Sequence, residues 1–222
     1  VALPALVLMP RRRPAWASGA AAAGLGFQVF VLVLAAIDTG WMAQGAALAS
    51  ASPQAWLPIA GVTVDLRLDG VNLVPAMMAP ILGAAALITS WQDGGEHGRE
   101  RAAVLLVTVA AAVGVLCAFD LVVLCLAFQV AALGAAYLLG AETAPAGRRA
   151  AVRFATCHLA AATVLLGLVL RMQVWLDGPA VVSLAGSTGA DIPMSAQSVL
   201  LAAAVLCFAT PLALVPIHGW LS

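Results

Sequence analysis

The chain has no lysine: all ten of its basic residues are arginine, and ten acidic residues balance them. Charged residues make up 9% of the sequence, where a soluble domain carries roughly a quarter. A net charge of zero, with no basic stretch longer than a loop, leaves no footprint for nucleic acid. Cysteine is scarce as well. Cys117, Cys125, Cys157 and Cys207 fall within apolar runs or at their ends, without a Cys-x-x-Cys pair, so zinc and iron–sulfur ligation have no signature. Such thiols read as small buried hydrophobes. Neither Gly-x-Gly-x-x-Gly nor a P-loop occurs, and no Ser/His/Asp arrangement stands out. Hydride transfer is therefore not the work of these residues, and no catalytic residue, cofactor or metal is expected.

What is abundant is apolar surface: 64% of the residues are hydrophobic, and the mean hydropathy is +1.05. Stretches near 17–37, 71–91, 102–118, 121–140, 151–170 and 196–216 approach the roughly 20 residues a helix needs to cross hydrocarbon. None alternates apolar and polar residues as a membrane β-barrel strand would. The expected fold is all-α, a polytopic transmembrane helix bundle forming a single membrane domain over residues 1–222. Val1–Pro10 is apolar but too short to span. A signal peptide would carry its charges before the apolar part, whereas "RRR" comes after it, so a truncated first helix is expected ahead of six full spans.

Orientation is set by arginine. If the spans alternate, Arg11, Arg12, Arg13, Arg99, Arg101, Arg148, Arg149 and Arg153 share one side, and only Arg67 and Arg171 face the other. The positive-inside rule makes the first side cytoplasmic, in a bacterial-type inner membrane. The N-terminus is then outside, "HGWLS" is cytoplasmic, and loops 38–70 and 172–195 are exoplasmic. "RRR" is a topology signal, with anionic lipid contact as a modest addition. "WQDGGEHGRER" reads as a charged turn, and "VTVDLRLDG" alternates like a short strand before Asp69 opens the next span as an N-cap.

Three polar residues stand out in apolar surroundings. Asp120 lies at a tight turn between two spans, where helix capping explains it. His158, read as one turn into a helix starting near Arg149, is better suited to an interhelical hydrogen bond than to a proton relay. A ligand role for it toward chlorophyll or haem is weaker still, since no second histidine accompanies it. Gln129 falls near the middle of its span, about 13 Å along the axis. An amide there donates and accepts hydrogen bonds but cannot carry a proton away.

The order of these features resembles the antiporter-like membrane subunits of respiratory complex I, of the chain M type and related to Mrp antiporters. "VDLRLDGVN" is similar to the family's x-H-L-x-x-D-G-L-S, with Asp69 and Gly70 in matching places. "DLVVLCLAFQVAALGAAYLLG" resembles its fifth span, with Asp120, Tyr137 and Gly140 in register. "RRAAVRFATCH" is similar to the start of its sixth, Arg153 and Phe154 falling on a Lys and a Phe. The terminal "VPIHGWL" is the most specific match, to a seventh span ending P-L-H-x-W-L.

The resemblance covers the N-terminal half of such a subunit and implies a proton path coupling a glutamate in the fifth span to a lysine in the seventh. Here those positions are Gln129 and Pro211, and no other lysine exists to stand in. A buried carboxylate titrates usefully only beside a cation, and both are replaced. The loss of both implies a degenerate, non-catalytic scaffold subunit of a larger respiratory or photosynthetic membrane complex. Its partners would be other integral membrane subunits of an energy-transducing assembly, together with lipid. His158, His218 and Asp120 would remain as polar packing or relay groups. The alternative is a proton- or cation-translocating NADH-quinone oxidoreductase subunit whose second half is a separate chain. A packing role beside quinone or pigment is a third possibility that apolar helix faces do not distinguish from the first.

Overall fold

In the computed structural model, residues 14–38, 49–50, 54–57, 62–90, 98–141, 145–175 and 193–210 are described. They hold six helices, one at each expected apolar run: α1 (Pro14–Asp38), α2 (Leu73–Ser90), α3 (Gly98–Cys117), α4 (Leu121–Gly140), α5 (Pro145–Trp175) and α6 (Met194–Ala209). Four short strands lie between α1 and α2, namely β1 (Ala49–Ser50), β2 (Gln54–Leu57), β3 (Val62–Val64) and β4 (Arg67–Leu68). The fold is a helix bundle of membrane character. Gly98–Cys117, Leu121–Gly140 and Gly147–Arg171 are each long and apolar enough to cross a membrane. The apolar parts of the others, Gly19–Leu34, Leu73–Thr89 and Met194–Ala209, are shorter.

Three boundaries differ from expectation. Helix α3 begins at Gly98, so Arg99, Glu100 and Arg101 belong to its first turn and not to a charged loop. Glutamate in a first turn is favoured by the exposed N–H groups there. Helix α5 begins at Pro145, where the missing N–H costs nothing, and runs 31 residues to Trp175. Arginine is a good helix former with a long stem, so Arg148, Arg149, Arg153 and Arg171 extend this helix. His158 consequently sits far deeper than one turn, roughly 20 Å from the start of α5. The expected single strand is broken in two. Asp65 and Leu66 interrupt it, and Leu66 instead forms a lone antiparallel bridge with Ala118.

The chain divides into two compact units, residues 1–50 with 67–117 and residues 51–66 with 118–222. In the first, α1, α2 and α3 pack around Ala21, Leu25, Leu87, Ala102, Leu106 and Val109. Gly83 makes this close approach possible, because a Cβ there would stand 2.7 Å from Val109 Cγ2. Strands β1 and β4 pair antiparallel, Ala49 with Leu68 and Ser50 with Arg67.

In the second unit, α5 packs between α4 and α6. Its core joins Val122 and Cys125 of α4, Ala161, Ala162, Leu165 and Val169 of α5, and Ala203 and Cys207 of α6. Val62 of β3, 1% exposed, closes one end of that core. Strand β3 pairs antiparallel with β2, with an irregularity between Ala55 and Leu57. Alanine predominates at the buried helix positions, which lets backbones come close where dispersion does most of the work of helix association.

Candidate functional site

Asp120 sets the start of α4. Its backbone is extended, and its Oδ1 accepts from Val122 N at 2.8 Å and Val123 N at 3.1 Å, satisfying two of the helix's first N–H groups. The side chain is buried, 1% exposed. The same turn is tied to the strand layer, since Phe119 N donates to the Asp65 carbonyl at 2.8 Å.

About 12 Å further along the axis, α4 presents Phe128 and Gln129 side by side. Gln129 is half-buried. Phe128 touches both neighbouring helices. Its ring lies 6.4 Å from the His158 ring of α5 at an interplanar angle of 23°. It meets Phe208 of α6 edge to face at 5.7 Å and 78°. Phe154, one turn before His158, stacks on the imidazole at 3.8 Å. An aromatic cluster thus surrounds a histidine that is 1% exposed.

His158 Nδ1 lies 2.7 Å from the Phe154 carbonyl oxygen. A carbonyl only accepts, so Nδ1 carries a proton and donates. The other ring nitrogen, Nε2, is buried inside the unit. Cys125 and Cys207 belong to the same core as free thiols, each 1% exposed. At the end of α6 the buried Thr210 donates its hydroxyl to Leu206 O at 2.7 Å. Pro211 and His218 lie outside the described residues.

The first unit contains a separate polar knot. Asp69 Oδ1 accepts from Val71 N at 2.8 Å and Asn72 N at 2.9 Å, and Asn72 Oδ1 accepts in return from Asp69 N at 2.7 Å. This reciprocal arrangement starts α2. The Asn72 amide also donates to Arg67 O and Leu116 O, both at 3.0 Å, fastening the start of α2 to β4 and to the end of α3.

The structure therefore gathers Phe128, His158, Phe154 and Phe208, and puts Gln129 on the residue next to Phe128. It keeps Asp120 at the helix start, away from that level. Asp69 is the expected cap, but its reciprocal partner Asn72, at an i, i+3 spacing, and the Phe154/His158 pair, at i, i+4, were not singled out from the sequence. Phe208 and Leu116 gave no signal, because their partners lie on other helices. Among the described residues no group of three His, Cys, Asp or Glu side chains is placed to hold a metal. Around His158 the arrangement is aromatic packing, and the Gln129 amide brings hydrogen-bonding capacity without charge to mid-helix.

No protein-family model matches the chain. It is similar to NAD(P)H-quinone oxidoreductase chain 4 3 of Picosynechococcus sp., with 26% identity over 166 residues, 75% of this chain and 30% of that one. It is similar also to chain 4 1 of Synechococcus sp., with 24% identity over 201 residues, 86% of this chain and 38% of the relative. The chain thus spans about a third of the length of the curated relatives it matches. Its fold is similar to that of a chain in the Mrp complex from Dietzia sp., with a TM-score of 0.66 at 20% identity, over 91% of this chain and 24% of that one. Sequence and fold together make this chain similar to an antiporter-like membrane subunit of the kind found in NAD(P)H-quinone oxidoreductase and Mrp complexes, over part of the length of those proteins.

Proposed function

We propose that the chain acts as a structural subunit of an energy-transducing membrane complex, built on an antiporter-like frame whose proton-handling positions no longer titrate. Residues 1–222 serve on this reading as one membrane domain with the arginine-rich first turns of α3 and α5 on the cytoplasmic side. Other integral membrane subunits surround it.

The observation that carries the reading is Gln129. It stands half-buried at mid-helix beside Phe128, where the resemblance places a glutamate. An amide is nearly isosteric with a carboxyl group and keeps its hydrogen bonds, so the frame persists while protonation is lost. Pro211 at the lysine position removes the cation that would tune such a carboxylate. Asp120 is already used as a helix cap, and His158 has its Nδ1 proton engaged with Phe154.

The test is Gln129→Glu in native membranes, with Pro211 left in place and proton pumping by the assembly measured. The expected result is no gain, because a lone carboxyl without its cation stays protonated in apolar surroundings. A gain of pumping would overturn the scaffold reading and support a translocating subunit completed by another chain.

A further inference from the structure

Helix α4 is long and apolar enough to cross a membrane, and its two sides differ. Val122, Cys125, Ala132 and Ala136 are buried. Val130, Leu133 and Tyr137 are exposed, and they recur at i+3 and i+4, the spacing of one helix face. Half-buried Gln129 borders that face, one turn before Leu133.

The Gln129 amide can make several hydrogen bonds, yet among the described residues no group bonds it. It stands about 12 Å from the start of α4 and about 17 Å from its end at 1.5 Å per residue. In hydrocarbon roughly 30 Å thick, neither headgroup layer is within a side chain's reach. Acyl tails offer no donor or acceptor, and an unsatisfied polar group among them is unfavourable. Gln197 forms a contrast. It lies in the first turn of α6, at the end of a span, where headgroups and water serve an amide.

The shape of the surface narrows the choice of partner. Small-molecule sites are concave, whereas the side chains at 130, 133 and 137 stand outward as a ridge. A ridge of this spacing packs into the groove of a second helix. A helix with its own amide, hydroxyl or carboxyl group at the same depth would cover the ridge and satisfy Gln129 together.

We propose that α4 docks a transmembrane helix of a neighbouring subunit along Gln129, Val130, Leu133 and Tyr137, with Gln129 hydrogen-bonded to a polar side chain of that helix near the bilayer midplane. The inference rests on the reading of this chain as a subunit of a larger membrane assembly, and it names the face and the chemistry of the contact. Its test is retention and cross-linking, whereas the scaffold reading is tested by proton pumping, so one can fail while the other stands.

A benzophenone amino acid is placed at position 133 in the otherwise native chain, within the intact assembly in its own membranes. After illumination the adducts are identified by mass spectrometry. The expected adduct is a different polypeptide, joined within an apolar span that carries a hydrogen-bonding side chain at mid-depth, and its yield should fall when Gln129→Leu is added. Gln129→Leu alone should weaken retention of the chain in the solubilised assembly by roughly three- to tenfold, the usual worth of one interhelical hydrogen bond. Gln129→Glu keeps a donor and an acceptor while protonated and should stay near the parent, as should Gln197→Leu. Adducts confined to phospholipid, to a quinone, to a second copy or to the chain itself overturn the proposal. So does a protein adduct that Gln129→Leu leaves undiminished, or a loss in Gln129→Glu equal to that in Gln129→Leu.

Discussion

His158 is joined to Phe154 twice: the two rings stack at 3.8 Å, and Nδ1–H donates to the Phe154 carbonyl at 2.7 Å. Both contacts span one turn of α5, so the imidazole is held by its own helix. The hydrogen bond fixes the tautomer, and the stacking fixes the ring plane. Phe128 then packs against a surface that is already rigid.

Of the two contacts, packing should matter more. The Phe154 carbonyl retains its place in the helix ladder without the imidazole, whereas removing the ring empties a buried site. His158→Ala should therefore destabilise the protein by about 2–4 kcal/mol, as large buried side chains do when truncated. His158→Phe should lose less than half of that. Thermal unfolding of the detergent-solubilised assembly separates them, and equal losses would place the stability in the hydrogen bond.

Asp120 should behave as a cap and not as a charge. Asp120→Asn preserves an acceptor for Val122 N and Val123 N and is expected to change stability by a few tenths of a kcal/mol. Asp120→Ala leaves both N–H groups unpaired and should cost about 1 kcal/mol. The same melting measurement decides between them. A large loss in the Asn variant would show that the negative charge itself is required.

Asn72 should prove the most sensitive residue of the first unit. Asn72→Ala removes the acceptor for Asp69 N and both donations, to Arg67 O and Leu116 O. At roughly 1 kcal/mol per bond the expected loss is about 2–3 kcal/mol. Asn72→Asp keeps the acceptor but turns a carboxylate oxygen toward the Arg67 and Leu116 carbonyls, and should cost at least as much. Hydrogen exchange at the Asp69 amide gives a local readout: protection should vanish in the Ala variant and persist in the Asp variant.

Two helical glycines should respond in opposite directions. At Gly83 a methyl group would press on the stiff, β-branched Val109, 2.7 Å from its Cγ2. Gly83→Ala should cost about 1–3 kcal/mol by overpacking, and Val109→Ala should relieve it. At Gly167 nothing lies within 4 Å of the added carbon. Gly167→Ala should stabilise α5 by up to about 1 kcal/mol. Melting curves of the three variants provide the comparison, and a neutral Gly83→Ala would show that α2 and α3 have room to part.

The apolar runs revealed the helices because membrane spans are set by composition alone, and Asp69 and Asp120 revealed two helix starts because capping is local. Boundaries were harder. The helix was expected to start near Arg149, but arginine tolerates both helix and headgroup, and α5 starts at Pro145. The break in "VTVDLRLDG" was hidden for a different reason. It depends on Leu66 pairing with Ala118, 52 positions away in the chain, which no local pattern encodes. The same is true of Phe208 against Phe128. At the candidate site, the identity of residue 129 was legible at once, while the aromatic cluster around His158 was not.

The second unit takes its strand segment from residues 51–66, which are synthesised before α2 and α3, while its helices come after them. In a chain made from the N-terminus, Val62 has no core to enter until α4 and α5 have emerged, and the Asp65 carbonyl waits for Phe119. Two helices, α2 and α3, are made between that segment and the core it joins. Expression of residues from 118 onward as a fragment would consequently leave α4, α5 and α6 without Val62 in their core. Dissection of this protein has to follow its contacts and not its order of translation.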